Sequence, residues 1–219
     1  MWLKIKNVRL KKPIVTSAIN NLDEDEFYSY IYNDELVEDA IIENLYIRDI
    51  DKVRVKFSSC IFKGVDFENC DFRKVDMTDI VFENCNLSNL NFSESGIYRI
   101  EFINCKLTGI IFHDSVLKSV KFKDSLCRYS NFAFSKFRDV LFDGCDCQSA
   151  IFQEVKNESM AVENSNLTSS VFSGTKLKNV DFTSSNIEGM DVLLKDVEGA
   201  IFTPLQALEI SRLLRIIIR

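Results

Sequence analysis

The chain is poor in the residues that break or bend a backbone irregularly. Only 7 Gly and 2 Pro occur in 219 residues, which excludes a chain made largely of linkers. There is a single His, His113, with no Cys or Ser partner beside it, so neither a His-based triad nor a His-containing metal cluster is expected. No apolar run approaches the ~20 residues of a membrane span. The N-terminal MWLKIKNVRLKK is basic but too interrupted by charge to be a signal-peptide apolar segment. The seven Cys are an odd number without a CxxC pair, which argues against a secreted disulfide framework. Neither a P-loop nor a GxGxxG occurs, and the net charge of −6 argues against direct nucleic-acid binding. These absences lead to the expectation of a soluble, cytoplasmic, non-enzymatic protein with reduced thiols, no cofactor, no metal and no membrane association.

What is abundant is Phe, 18 of them, and they are spaced by five. The stretch CIFKGVDFENCDF places Phe at 62, 67 and 72. That step suits neither a helix of 3.6 residues per turn nor a strand of period two. Stepping by five from Phe57 to Phe202 gives thirty centre positions, of which only Asn157 is polar. Two residues before the centre lies a second inward set, mostly small: Val55, Cys60, Val65, Cys70, Val75, Ile80, Cys85, Leu90 and Ser95. Two residues after it fall six of the seven Gly (Gly64, Gly109, Gly144, Gly174, Gly189 and Gly199), with Asn69, Asn84, Asn89, Asn104, Asn164 and Asn179. Gly and Asn tolerate positive φ, the requirement of the third residue of a type II turn. The backbone is therefore expected to turn every five residues, and four corners close a square coil of 20.

A 20-residue coil makes its own check. Centres 20 apart must stack, and one column reads Phe62, Phe82, Phe102, Phe122, Phe142, Val162, Phe182, Phe202. The facing column reads Phe72, Phe92, Phe112, Phe132, Phe152, Phe172, Val192, while the two remaining columns are mostly smaller. Large against small is how a narrow core fills without voids. All seven Cys point inward: Cys60, Cys70, Cys85, Cys105 and Cys145 at the small position, Cys127 and Cys147 at centres. They read as inert small hydrophobes.

This pattern resembles the pentapeptide-repeat family, whose motif is A(D/N)Lxx, although Val, Cys or Ser often replaces its Ala here. The resemblance covers residues 40–202. It implies an all-β fold, a right-handed quadrilateral β-helix of about eight coils, which the sequence completes with a short C-terminal helix. Residues 1–39 are expected to form an N-terminal acidic cap segment, 40–202 the solenoid, and 203–219 a capping and dimerisation helix. The segment GAIFTPLQALEISRLLRIII also resembles the C-terminal end of Qnr-type quinolone-resistance proteins, with Arg215 where Gly is common. That end mediates homodimers in the group.

In that C-terminal segment Thr203, Pro204 and Gln206 carry the signals of a helix start. Ala207, Ile210, Leu213, Leu214 and Ile217 form one apolar stripe, with Leu205 and Leu208 on the other side. A homodimer interface is expected at Ile210, Leu213, Leu214 and Ile217. At the other end, Leu3, Ile5, Val8 and Leu10 suggest a short edge strand. Nine acids and no base then lie between Lys12 and Arg48, interspersed with aromatics. That stretch reads either as a capping helix with a solvated acidic face or as an acidic docking arm.

Outward charges sort by side. Lys136, Lys156 and Lys176 stack into a candidate basic strip. Glu94, Asp114 and Glu154 share a column on a side with no base after Lys74, a candidate acidic interaction surface. Two functions follow. One is a non-catalytic scaffold or protein-interaction rod. The other, implied by the Qnr resemblance, is a DNA mimic that binds DNA gyrase or topoisomerase IV and protects them from quinolones. Over residues 55–199 the coils hold 21 acids and 16 bases, far fewer net charges than a matching length of DNA.

Overall fold

The computed structural model describes residues 2–5, 8–15 and 20–214. Strands β1 (Trp2–Ile5) and β2 (Val8–Lys11) precede β3 (Asn20–Asn21) and helix α1 (Glu24–Tyr32). The solenoid strands are β4 (Leu36–Glu38), β5 (Ala40–Glu43), β6 (Tyr46–Arg48), β7 (Lys56–Lys63), β8 (Asp66–Glu68), β9 (Asp76–Glu83), β10 (Gly96–Ile103), β11 (Val116–Lys123), β12 (Lys136–Asp143) and β13 (Lys156–Glu163). Helix α2 (Pro204–Ser211) follows the last coil. Every strand pair from β3 onward is parallel, and the full-length ladders are offset by 20, as in Phe82↔Phe102 and Phe102↔Phe122. The parallel ladder starts earlier than residue 40, at Asn20↔Ala40 and Leu36↔Lys56. The result is a four-sided β-solenoid. Each side is named below by its first centre: Phe57, Phe62, Phe67 and Phe72.

Positive φ recurs at the predicted corner position, from Asp34 to Gly199. At many corners the centre carbonyl accepts from the N–H three residues on, as in Leu107 O from Ile110 N at 3.2 Å. At others that N–H donates, in addition or instead, to a buried hydroxyl one coil further. Ser95 Oγ accepts from Val75 N at 3.0 Å, Ser115 Oγ from Ser95 N at 3.0 Å, and Thr175 Oγ1 from Val155 N at 2.7 Å. Buried N–H groups need partners, which explains why the small inward position is so often Ser rather than Ala.

The two Phe columns stack as predicted. Ring centroids lie 4.8 Å apart for Phe62–Phe82, 5.0 Å for Phe102–Phe122 and 4.6 Å for Phe152–Phe172. Between the columns the rings meet edge to face, as for Phe102–Phe112 at 6.2 Å and Phe122–Phe132 at 5.7 Å. Both arrangements suit the ring quadrupole. The polar centre Asn157 marks a defect in the ladder. After Phe137↔Asn157 the register slips by one so that Arg138 faces Ser159, and the offset of 20 returns at Val140↔Met160. Asn157 Nδ2 donates to Lys176 O at 3.0 Å, while its Oδ1 is buried without a partner among the described residues.

Both ends are covered. Asp23 caps α1 through a reciprocal box with Glu26, at 2.9 and 3.1 Å. Phe27 is buried against Phe57 and Phe62, and Ile31 is buried beside them. The acids Glu24, Asp25 and Glu26 lie in the first turn, exposed, where the helix dipole favours them. At the other end Thr203 and Gln206 form the predicted capping box. Gln206 Nε2 also donates to Phe182 O and Ser185 O at 2.8 and 2.7 Å. Arg212 Nη2 donates to Met190 O at 2.6 Å, and Glu209 Oε1 accepts from Gly189 N at 3.2 Å. The helix thus supplies partners for an open ladder edge, which would otherwise template association.

The N-terminus departs from the expected edge strand. β1 and β2 form an antiparallel hairpin that lies outside the ladder, with β2 packed across β11, β12 and β13. Val8 and Leu10 are buried on Leu141 and Ala161, two outward residues of the Phe62 side. Arg9 N donates to Asp139 Oδ1 at 2.9 Å. Further along, Ile14 N donates to Asp79 Oδ1 at 2.9 Å, and Ser59 Oγ donates to Ile14 O at 3.2 Å. Asp79 is itself held by Arg99 through two hydrogen bonds of 2.6 Å. The segment therefore straps several coils together along one corner.

Candidate interaction surface

The inward side chains are spent on the core, so chemistry must come from the outward ones. The seven Cys are free and buried. Burial pushes the Cys60 thiol up to about 11. Hydrogen bonding with Cys145 and Cys147, and then burial, raises Cys127 well above its usual value. A protonated, enclosed thiol is a poor nucleophile and metal ligand. Among the described residues no three His, Cys, Asp or Glu side chains are grouped to hold a metal, and no helix is long and apolar enough to cross a membrane.

The main concavity is an open groove of about 1150 Å³ on the Phe67 and Phe72 sides of the N-terminal coils. Five acids line it: Asp49, Asp51, Asp66, Glu68 and Asp71. Strand β8 carries Asp66 and Glu68, and the corners following β6 and β8 add Asp49 and Asn69. Asn69 Nδ2 donates to Asp49 Oδ1 at 2.6 Å, Asn91 Nδ2 to Asp71 Oδ2 at 3.2 Å, and Tyr46 Oη to Glu68 Oε2. Arg73 supplies the counter-charge, 3.0 Å from Asp71 and 3.6 Å from Asp51. Asn–Asp bonds between successive coils orient the carboxylates without neutralising them. Such a surface can attract and orient a basic partner.

The sequence-predicted residues distribute unevenly around this groove. Glu94, Asp114 and Glu154 occupy corner positions of the Phe72 side with φ of 57°, 56° and 54°. Glu94 is paired with Lys74 at 3.2 Å, and Phe134 stands in the column between Asp114 and Glu154. Of the basic strip, Lys136 and Lys156 are register partners, with Lys176 one coil on. Glu158, at the ladder irregularity, pairs with Lys136 at 3.1 Å and lies 3.9 Å from Arg138. The Lys136 contact lowers its carboxyl below the usual value. The strip is thus partly neutralised.

The expected dimer residues fall in different places. Ile210 is buried in the core and Leu213 is partly buried against it, so both help to cap the last coil. Leu214 is exposed, as are Leu205 at 79% and Leu208 at 53%. Ile217 lies outside the described residues. The groove acids escaped sequence reasoning because they sit on two sides and belong to different columns. Phe134 and Tyr129 were visible as aromatics in a column of Gly, Asn and Asp.

With the geometry in place, comparison with known proteins agrees with the repeat. The profile described as "Pentapeptide repeat region" matches residues 75–152, and that of "Pentapeptide repeats (8 copies)" matches 163–192. Over these residues the solenoid is built of pentapeptide repeats. A profile of the SV2A/B/C luminal domain also matches residues 21–112. No curated protein matches the chain. Among solved structures the solenoid is similar to full-length QnrB1, a plasmid-mediated fluoroquinolone resistance protein. Identity is 17% over 79% of this chain and 99% of that one, with a TM-score of 0.48. It is also similar to HetL, a pentapeptide repeat protein involved in heterocyst differentiation regulation from Nostoc sp. strain PCC 7120. There the identity is 11% over 83% of this chain and 97% of that one, and the TM-score is 0.32.

Proposed function

We propose that the chain is a non-catalytic interaction rod of a reducing, cytoplasmic compartment, and that its docking face comprises the Phe67 and Phe72 sides. The observation that carries this reading is the groove itself, where Asp49, Asp51, Asp66, Glu68 and Asp71 face solvent against one Arg. The test is affinity capture with the chain and with the variant Asp51→Lys/Asp66→Lys/Glu68→Lys. A protein that binds the unaltered chain should be released by salt and absent from the variant, with both baits melting alike. Identical capture by both baits removes the groove from the docking face.

A second reading is a DNA-mimicking partner of a type II topoisomerase, gyrase or topoisomerase IV. Its support is the narrow rod with acids on successive coils, spaced at the ordinary strand separation of about 4.8 Å. The coils carry fewer net charges than DNA, with one per ~1.7 Å, so the groove would have to supply the mimicry. Supercoiling by purified gyrase, with and without quinolone, decides it. No change at stoichiometric chain rejects this reading and leaves the first intact. A homodimer through the C-terminal end belongs to both, resting on exposed Leu205, Leu208 and Leu214.

A further inference from the structure

The acidic groove ends at Ile111, which pairs with Asn131 of the next coil. That coil turns Leu126, Tyr129 and Phe134 outward. Tyr129 is 62% exposed and Phe134 53%, and both occupy corner positions, with φ of 57° and 61°. At no other described corner does an aromatic residue stand at positive φ. A bulky side chain is disfavoured in that conformation, and an exposed ring gains little from the hydrophobic effect. Asn, used at neighbouring corners, would serve the fold better. Residues that break a local rule without return to the fold point to a role in binding.

The surroundings say what would bind. Asp114 and Glu154 stand one coil before and one coil after Phe134 in the same column, about 4.8 Å away on each side by strand spacing. The Phe72 side carries no Lys or Arg between Lys74 and the end of this column at Glu154, and Lys74 is tied to Glu94. Arg128, beside Tyr129, is tied to Asp146 at 2.5 Å. His113 meets the Phe134 ring edge on, centroids 5.4 Å apart, and holds it in place while leaving it exposed. A ring flanked by two carboxylates suits a flat cation that can stack and bond at once, which a guanidinium does and an ammonium does less well.

We propose that Phe134, flanked by Asp114 and Glu154 and neighboured by Tyr129, anchors an arginine of an extended partner polypeptide whose further basic side chains lie in the acidic groove. This deepens the docking-face reading and rests on it. The probe is the acetylated, amidated peptide Gly-Arg-Gly-Arg-Gly, with lysine and glutamate counterparts, titrated against the chain while the ring resonances of Phe134 and Tyr129 are followed. The arginine peptide should move both rings saturably, bind about fivefold more tightly than the lysine peptide, and the glutamate peptide should move neither. Phe134→Asn should weaken the arginine peptide about fivefold with a melting temperature unchanged or raised. Silent rings, equal binding of the lysine or glutamate peptide, or a lower melting temperature for Phe134→Asn would each overturn the anchor. If the groove variant loses its captured protein and Phe134→Asn keeps it, the docking face stands and the arginine anchor fails.

Discussion

At the residue scale, stability resides in the stacked rings. Phe102 is fully buried, with Phe82 and Phe122 on either side at 5.1 and 5.0 Å. Phe202 is only half-buried and stacks on Phe182 alone. Phe102→Ala is expected to cost roughly 3–5 kcal/mol in denaturant melts, and Phe202→Ala clearly less. Equal, small losses would contradict a core built from columns. The thiols give an independent check of the same inward positions. All seven should react slowly with a thiol reagent in the native state and fast in denaturant, because the fold encloses every one of them. Rapid native labelling of Cys85 or Cys105 would mean that the small inward column is misplaced.

At the element scale the hairpin and α2 are the parts whose sequence pattern understates their role. The β1–β2 hairpin holds Val8 and Leu10 on Leu141 and Ala161, so a solvent-facing stretch of the Phe62 side becomes a second small core. Leu10→Asp places a carboxylate there and is expected to release the strap at a cost of about 1.5–3 kcal/mol, the scale of burying a Leu. Limited trypsin digestion should then cut at Arg9 or Lys11 faster, with the β circular dichroism of the solenoid kept. An unchanged cutting rate would mean that the hairpin is held by something other than this contact. Helix α2 acts less as an apolar lid than as a set of polar plugs. Gln206, Glu209 and Arg212 meet the carbonyls and the N–H of the last coil.

At the scale of the whole molecule, the proposed dimer rests on the outward Leu residues of α2. Under that proposal the unaltered chain is expected to be a dimer by light scattering and Leu205→Glu with Leu208→Glu a folded monomer, with the β signal retained. Ile210→Glu should instead damage the end of the solenoid, since that side chain is buried. If the Leu205/Leu208 variant has the same mass in solution as the parent, the C-terminal dimer loses its basis. Two rods joined end to end by a symmetric contact would present two copies of the acidic groove, a geometry suited to a two-fold partner.

The solenoid was legible because its code is local. A five-residue step forces one centre, one small neighbour and one corner residue, and a 20-residue period then fixes which rings meet. The Phe62 and Phe72 columns, the corners at Gly109 or Asn89 and the Thr203 cap could all be read from the chain in this way. What could not be read was whatever depends on position across coils or sides. The hairpin folds back over strands more than a hundred residues away, and nothing in its alternation names the face it will cover. The groove joins acids from two sides, which no single column displays. An α2 with apolar residues on both sides does not announce its orientation. That was decided by polar groups seeking the unpaired backbone of the last coil, and by the space that coil leaves for Ile210.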